Sequence, residues 1–150
     1  MIFQGQMTIK APIQKLWDAI LKPDMLAACV PGVESLELKG DNVYVGLIKQ
    51  KVGPFTFKVN GEVKMVELNA PNHLKGTIKG EVLGKMGTLM GDLIIDFKEA
   101  KKDEVEVNYT ANVAITGKLS TFGNHIMNAK AKEMQVQITK NLQEKLGTVG

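Results

Sequence analysis

Residues 55–65, FTFKVNGEVKM, alternate strictly between two kinds of side chain. The odd-numbered positions from Phe55 to Met65 are apolar or glycine, and the even-numbered positions are polar. A period of two predicts a β-strand whose alternate residues face opposite sides of a sheet. Because one face is polar and the other apolar, we expect an antiparallel sheet with one face in water.

The same alternation recurs on both sides of this stretch. It predicts strands at residues 2–10, 33–39, 43–52, 74–82, 89–97 and 105–115. Turn sequences separate them, among them Gly40-Asp41-Asn42 and Ala70-Pro71-Asn72. Ala11-Pro12 and Pro23 open two short helices after the first strand, since proline suits a first helical turn.

Over the last ~30 residues the apolar period changes to that of a helix. The residues at this spacing are Leu119, Phe122, Ile126, Met134, Ile138 and Leu142. A curved sheet must cover its apolar face, and this long helix is the element large enough to do so. The sequence therefore predicts one α+β domain over residues 1–150, with about seven antiparallel strands around a C-terminal helix. We expect a small-molecule site between sheet and helix.

Composition narrows the classes of partner. All nineteen basic residues are lysine, and the net charge is +3. Arginine is the side chain preferred for reading phosphates and guanine, so its absence argues against nucleic-acid recognition. The single cysteine, Cys29, excludes an internal disulfide, and no apolar run of ~20 residues is present. We expect a cytoplasmic protein without a signal peptide, with peripheral contact to an anionic membrane as an option.

Catalytic and metal-binding groups are not gathered anywhere in the sequence. His73 lies in a predicted surface turn, and His125 lies at the edge of the helical stripe. Cys29 is interpreted as a small buried apolar residue, although a thiol near a helix terminus can be reactive. We predict no catalytic residue and no metal site, and therefore a binding protein rather than an enzyme.

The predicted lining of the cavity comes from the short-helix region, the sheet and the last helix. Its members are Met25, Leu26, Val30, Tyr44, Gln50, Phe55, Phe57, Val59, Met65, Tyr109, Phe122, His125, Ile126 and Met134. Four of these, Gln50, Tyr44, Tyr109 and His125, are candidates to bind a polar head group. Residues 25–30 are also a candidate lid or membrane-dipping segment.

Several pieces of the chain resemble one known family, the CoxG family of carbon monoxide dehydrogenase subunits, within the START-like helix-grip (SRPBCC) superfamily. The resemblance covers nearly the whole chain, and residues 27–32, Ala-Ala-Cys-Val-Pro-Gly, are its most specific part. The other pieces are Phe3-Gln4-Gly5, Ala11-Pro12 with Leu16-Trp17, Lys51-Val52-Gly53-Pro54 and Gly117-Lys118-Leu119.

The resemblance implies a helix-grip fold and an accessory role beside a molybdenum-containing dehydrogenase of the carbon monoxide dehydrogenase type, at the membrane. It favours a bound isoprenoid quinone or lipid, with no covalently attached cofactor. One strand departs from the pattern, because Gln50 falls on the face of Tyr44 and Val52 that should be apolar. Val45 and Leu47 would then face outward, which leaves open an assembly factor that acts through protein contacts. A helix-grip enzyme is the third alternative.

Overall fold

The computed structural model describes residues 1–147, so the last three residues of the predicted domain lie outside the described range. The elements follow in the order β1 (Ile2–Ile9), α1 (Ile13–Ile20), α2 (Pro23–Cys29), β2 (Val33–Leu38), β3 (Val43–Val52), β4 (Phe55–Asn69), β5 (His73–Val82), β6 (Gly87–Lys101), β7 (Glu104–Ile115), a 3₁₀ helix (Lys118–Phe122) and α3 (Gly123–Leu146). The predicted curved sheet, two short helices and long terminal helix are confirmed.

The seven strands form one antiparallel sheet in the order β1-β7-β6-β5-β4-β3-β2. Strands β2 to β7 follow one another as a meander, and β1 pairs with β7 at the far edge. Register shifts interrupt the pairings β2–β3, β4–β5 and β6–β7. Such bulges bend strands and increase twist, which helps the sheet to curve around α3.

Helix α3 is 24 residues long, or about 36 Å at 1.5 Å per residue. It begins at Gly123, whose φ of +76° belongs to the left-handed region that favours glycine. The chain direction therefore changes between the 3₁₀ helix and α3. At the other end, Gly147 has a φ of +77° and its N–H bonds to the carbonyl of Gln143, which closes the helix.

Two apolar clusters hold the sheet to the helices, one at each end. The larger core contains Leu16 and Trp17 of α1 and is reached by Leu142 and Leu146 of α3. Trp17 packs edge-on against Phe97, with ring centres 5.7 Å apart. The smaller core consists of Val52, Phe57, Val82, Leu119 and Met127. Because each core lies near one end of α3, they leave the middle of the helix and sheet between them.

Candidate ligand-binding site

Between the two cores, a band of apolar side chains crosses the inner face of the sheet. Ile48, Val63, Ile78 and Leu93 come from four successive strands, and each is only half-buried. Each faces the same side as core residues two or four positions along its own strand. Their outer side is covered by the sheet itself, so their exposed area opens toward α3. We call this unfilled region the hollow.

Gly61 enlarges the hollow, whereas a Cβ added at its neighbours Gly46 and Gly80 would meet Ser35 O at 2.5 Å and Val59 Cγ1 at 3.0 Å. Gly46, Gly61 and Gly80 are directly paired across β3, β4 and β5, so they form a row without side chains on the inner face. A Cβ added at Gly61 would meet no atom closer than the Lys79 carbonyl oxygen at 3.9 Å. Space is therefore open in front of Gly61, whereas an interior normally packs densely.

The middle of α3 does not fill this space. Its half-buried positions there are Lys130, Ala131, Met134, Gln135, Ile138 and Thr139, of which only Met134 and Ile138 are large apolar residues. Gln135 instead bridges to the β1–β7 side, where it accepts a hydrogen bond from the Tyr109 hydroxyl at 2.5 Å. Its Nε2 donates to the Gln6 carbonyl at 3.0 Å. This bridge passes directly over Gly5, where a Cβ would collide with the Gln135 side chain.

On the side of α3 opposite to the Gln135 bridge, a cavity of about 330 Å³ lies between α3, β3 and the turn after α2. This volume falls at the lower end of the about 300–1,000 Å³ typical of ligand pockets. We call it the mouth. Its lining consists of Pro31, Gln50, Lys130, Glu133, Met134, Gln137 and Asn141. Gln50 lies two residues from Ile48 on the same face of β3, so the mouth adjoins the hollow.

Hydrogen bonds fix the amides at the mouth. Gln50 Nε2 donates to the Pro31 carbonyl at 2.6 Å. Gln137 Nε2 donates to Asn141 Oδ1 at 2.9 Å, and Asn141 Nδ2 donates to the Cys29 carbonyl at 2.9 Å. These contacts tie α3 to the end of α2 and hold the amides in place around the opening.

The predicted lining residues are distributed over several places. Gln50 and Met134 meet at the mouth. Phe57, Val59 and Phe122 belong to the smaller core, and Met25 and Met65 pack against the larger one. Leu26 of α2 and Val30, which directly follows α2, are half-buried, and Cys29 at the end of the helix is buried. Residues 25–30 are therefore anchored to the larger core on one side and are half-exposed on the other.

The structure contradicts the inward placement of two predicted lining residues and leaves a third partly exposed. Ile126 is 41% exposed and His125 is exposed, while Met127 takes the inward position. The physical reason is the change of chain direction at Gly123, which interrupts the helical phase extrapolated from Leu119 and Phe122. Phe55 is 40% exposed and packs its ring at the outer end of the smaller core, 5.8 Å from the ring of Phe122.

Of the four predicted head-group partners, only Gln50 reaches the mouth. The Tyr44 hydroxyl donates to the Leu21 carbonyl at 2.6 Å, and the Tyr109 hydroxyl is bound to Gln135. Burial raises the pKa of both phenols above the usual value, so both stay protonated donors. Gln50 faces the same side as Tyr44 and Val52, as the sequence predicted. Val45 and Leu47 face the other side, but these two side chains are half-buried rather than exposed.

Sequence reasoning missed Lys130, Glu133, Gln137 and Asn141. A signal was available, because positions 130, 134, 137 and 141 recur at spacings of four and three along α3. They form a strip beside the apolar stripe, and such polar strips ordinarily indicate a helix face in water. Here the strip faces the Pro31 turn and β3 instead.

The remaining titratable candidates lie outside the hollow. Cys29 is 1% exposed within the larger core, and burial raises the pKa of its thiol, against the opposing effect of the Lys145 charge. His73 begins β5 rather than lying in the preceding turn, and it bridges Glu67 and Asp96 on the outer face. Within residues 1–147, no three His, Cys, Asp or Glu side chains are arranged to hold a metal ion. No helix in that range is long and apolar enough to span a bilayer.

Comparison with solved structures shows the same fold in several proteins. A conserved protein from Geobacillus kaustophilus superposes with a TM-score of 0.89 at 21% identity, over 97% of this chain and 95% of its own. A START superfamily protein from Mycobacterium smegmatis gives 0.73 at 6% identity, over 97% and 96%. The ZhuI aromatase/cyclase from Streptomyces sp. R1128 gives 0.69 at 11% identity, over 99% of both chains. At such identities the likeness establishes the fold alone.

No curated protein matches the chain. The family model of CoxG, a carbon monoxide dehydrogenase subunit, matches residues 5–147, which is nearly the whole sequence. The match includes every strand from β2 to β7 and the whole of α3. The chain therefore belongs to the CoxG family of carbon monoxide dehydrogenase subunits and has the START-like helix-grip fold.

Proposed function

We propose that this protein binds an apolar small molecule in the hollow between the sheet and α3 and acts as its carrier. The supporting observation is the band of half-exposed apolar residues that faces α3, with the glycine row beside it. Burying apolar surface is favourable by about 25 cal/mol per Å². A ligand that covers this band therefore gains binding energy from surface that the protein leaves uncovered.

The ligand in this proposal is a quinone or a lipid-like molecule, and the partner is a molybdenum-containing dehydrogenase of the carbon monoxide dehydrogenase type at the membrane. Family membership supports the partner. The apolar hollow with a polar mouth supports a ligand that has an apolar body and a small polar head, since such sites place a few polar groups at one end.

Binding without catalysis fits the positions of the reactive groups. His73 lies on the outer face, His125 is exposed, and the Cys29 thiol is buried in the larger core. A catalytic site needs an acid, base or nucleophile within reach of the bound molecule. The mouth contains neutral amides with one lysine and one glutamate, and the glutamate side chain that would have to act as a base, Glu133, is 73% exposed to water.

Exposed apolar residues at one end of the sheet favour a second candidate function, recruitment to a membrane surface. Phe55, Leu83 and Ile126 are 40–44% exposed there. The Lys118 ammonium lies 4.7 Å from the centre of the Phe55 ring. Exposed apolar side chains beside lysine suit an anionic membrane surface. If this end contacts membranes, Phe55→Ser with Leu83→Ser should reduce co-sedimentation with anionic vesicles, and unchanged co-sedimentation would remove this candidate.

The test of the carrier proposal is mass spectrometry of organic extracts from the natively purified protein, beside a delipidated sample. We expect a quinone or lipid near one equivalent per chain. The delipidated protein should take up the same molecule when it is added back. An empty protein that also takes up neither quinone nor lipid would contradict the proposal and favour recruitment through protein or membrane contacts.

A further inference from the structure

The mouth contains a lysine that is turned inward. The Lys130 side chain is 17% exposed, whereas that of its ion-pair partner Glu133 is 73% exposed. Their closest nitrogen–oxygen distance is 3.8 Å, which is longer than a hydrogen bond. Among residues 1–147, the Lys130 ammonium donates no hydrogen bond of normal length. The ammonium remains accessible to solvent, and Glu133 holds it at ion-pair distance without a hydrogen bond, so it is available to pair with an anion that enters the mouth.

The mouth contains one positively and one negatively charged side chain. Lys130 and Glu133 are the two charged residues of the lining. Because Glu133 extends into water, solvent screens its charge, while the less exposed Lys130 is screened less. The other polar lining residues are neutral amides.

These amides supply further donors. A side-chain amide nitrogen carries two N–H groups. The amide nitrogens of Gln50, Gln137 and Asn141 each donate one described hydrogen bond. Each nitrogen therefore has a second N–H that the described contacts do not use. The described contacts, to the Pro31 carbonyl, Asn141 Oδ1 and the Cys29 carbonyl, also fix the orientation of the amides. Oriented amide donors beside an ammonium suit an anion with two oxygen acceptors.

We propose that the mouth binds the carboxylate of a long-chain acid, with Lys130 as its counter-ion and the amides as additional donors. The hydrocarbon chain enters the hollow past Gln50 and Ile48, toward the open space in front of Gly61. This inference rests on the proposed function, that the hollow binds an apolar molecule, and it narrows the ligand to an acidic lipid rather than a neutral one.

The test compares two ligands with the same chain, oleate and oleyl alcohol, by displacement of a neutral apolar dye below micellar concentrations. We expect the wild-type protein to bind oleate more tightly than oleyl alcohol. Lys130→Met should weaken oleate binding about tenfold to 100-fold, the range for losing a charge-assisted hydrogen bond, and change oleyl alcohol binding less than about twofold. Lys130→Arg should keep the preference for the acid.

Lys132→Met is the matched control, because Lys132 is exposed on the same helix and its loss removes the same charge. It should leave both affinities unchanged. Equal affinity of the wild-type protein for oleate and oleyl alcohol, or equal weakening of both by Lys130→Met, would overturn the carboxylate site and leave the carrier proposal standing. Binding of neither ligand by a wild-type protein that still binds the dye would overturn the carboxylate site alone, and failure to bind the dye as well would contradict both proposals.

Discussion

At the scale of single residues, His73 connects three neighbouring strands on the outer face of the sheet. Its Nδ1 lies 2.6 Å from Asp96 Oδ1 of β6, and its Nε2 lies 3.0 Å from Glu67 Oε2 of β4. A protonated imidazole donates from both nitrogens. The hydrogen bonds to Asp96 and then Glu67 therefore raise the pKa of His73 above its usual 6.5.

This arrangement predicts a pH-dependent contribution to stability. A raised pKa stabilises the fold fully below about pH 6.5, the unfolded value, and the contribution is lost as pH rises through the folded value. His73→Gln should therefore lower the free energy of unfolding in urea at pH 5.5 and have little effect at pH 9. His125→Gln, at an exposed histidine, is the control. The same loss at both pH values would refute the bridging role.

The buried thiol of Cys29 gives a second prediction at this scale. At 1% exposure and with a raised pKa, it should react with Ellman's reagent very slowly in native protein and rapidly in denaturant. Because it is the single cysteine, Cys29→Ser supplies the blank. Fast reaction of native protein at pH 8 would mean that α2 opens from the larger core.

At the scale of the element, α3 is held at its ends and spans the hollow in between. Leu142 is 7% exposed in the larger core, whereas Met134 is half-buried at the mouth. We therefore predict that Leu142→Ala lowers the free energy of unfolding by about 2–5 kcal/mol, the usual cost of a core truncation. Met134→Ala should cost about 1 kcal/mol or less. Urea unfolding of both variants decides this, and equal costs would mean that Met134 also lies in a filled core.

Both the strengths and the failures of sequence reasoning are visible in this element. The period of two in β4 and the change of period after Ile115 correctly predicted the sheet and the long helix, because burial of one face fixes both patterns. The phase of α3 could not be extrapolated, since the backbone at Gly123 interrupts it. The mouth was missed because Lys130 and Asn141 look like surface residues until the Pro31 turn is known to face them.

At the scale of the whole molecule, the two cores lie apart along α3 and leave the hollow between them. A larger side chain at Gly61 would fill part of the interior, as proteins normally do. The polar mouth gives access to this space from one side. The proposed binding function is thus a property of the arrangement and not of a single residue.

The most direct measurement is the affinity of the neutral dye N-phenyl-1-naphthylamine for the wild-type protein and for Gly61→Leu. A Cβ added at Gly61 would meet no atom closer than 3.9 Å, so a leucine side chain at this position should enter the hollow without disturbing the strand. Asn60→Leu, which adds the same side chain to the exposed outer face, is the control. We predict at least about tenfold weaker binding by Gly61→Leu, corresponding to about 1.4 kcal/mol, with unchanged binding by Asn60→Leu. Equal affinity of all three folded proteins would contradict binding in the hollow.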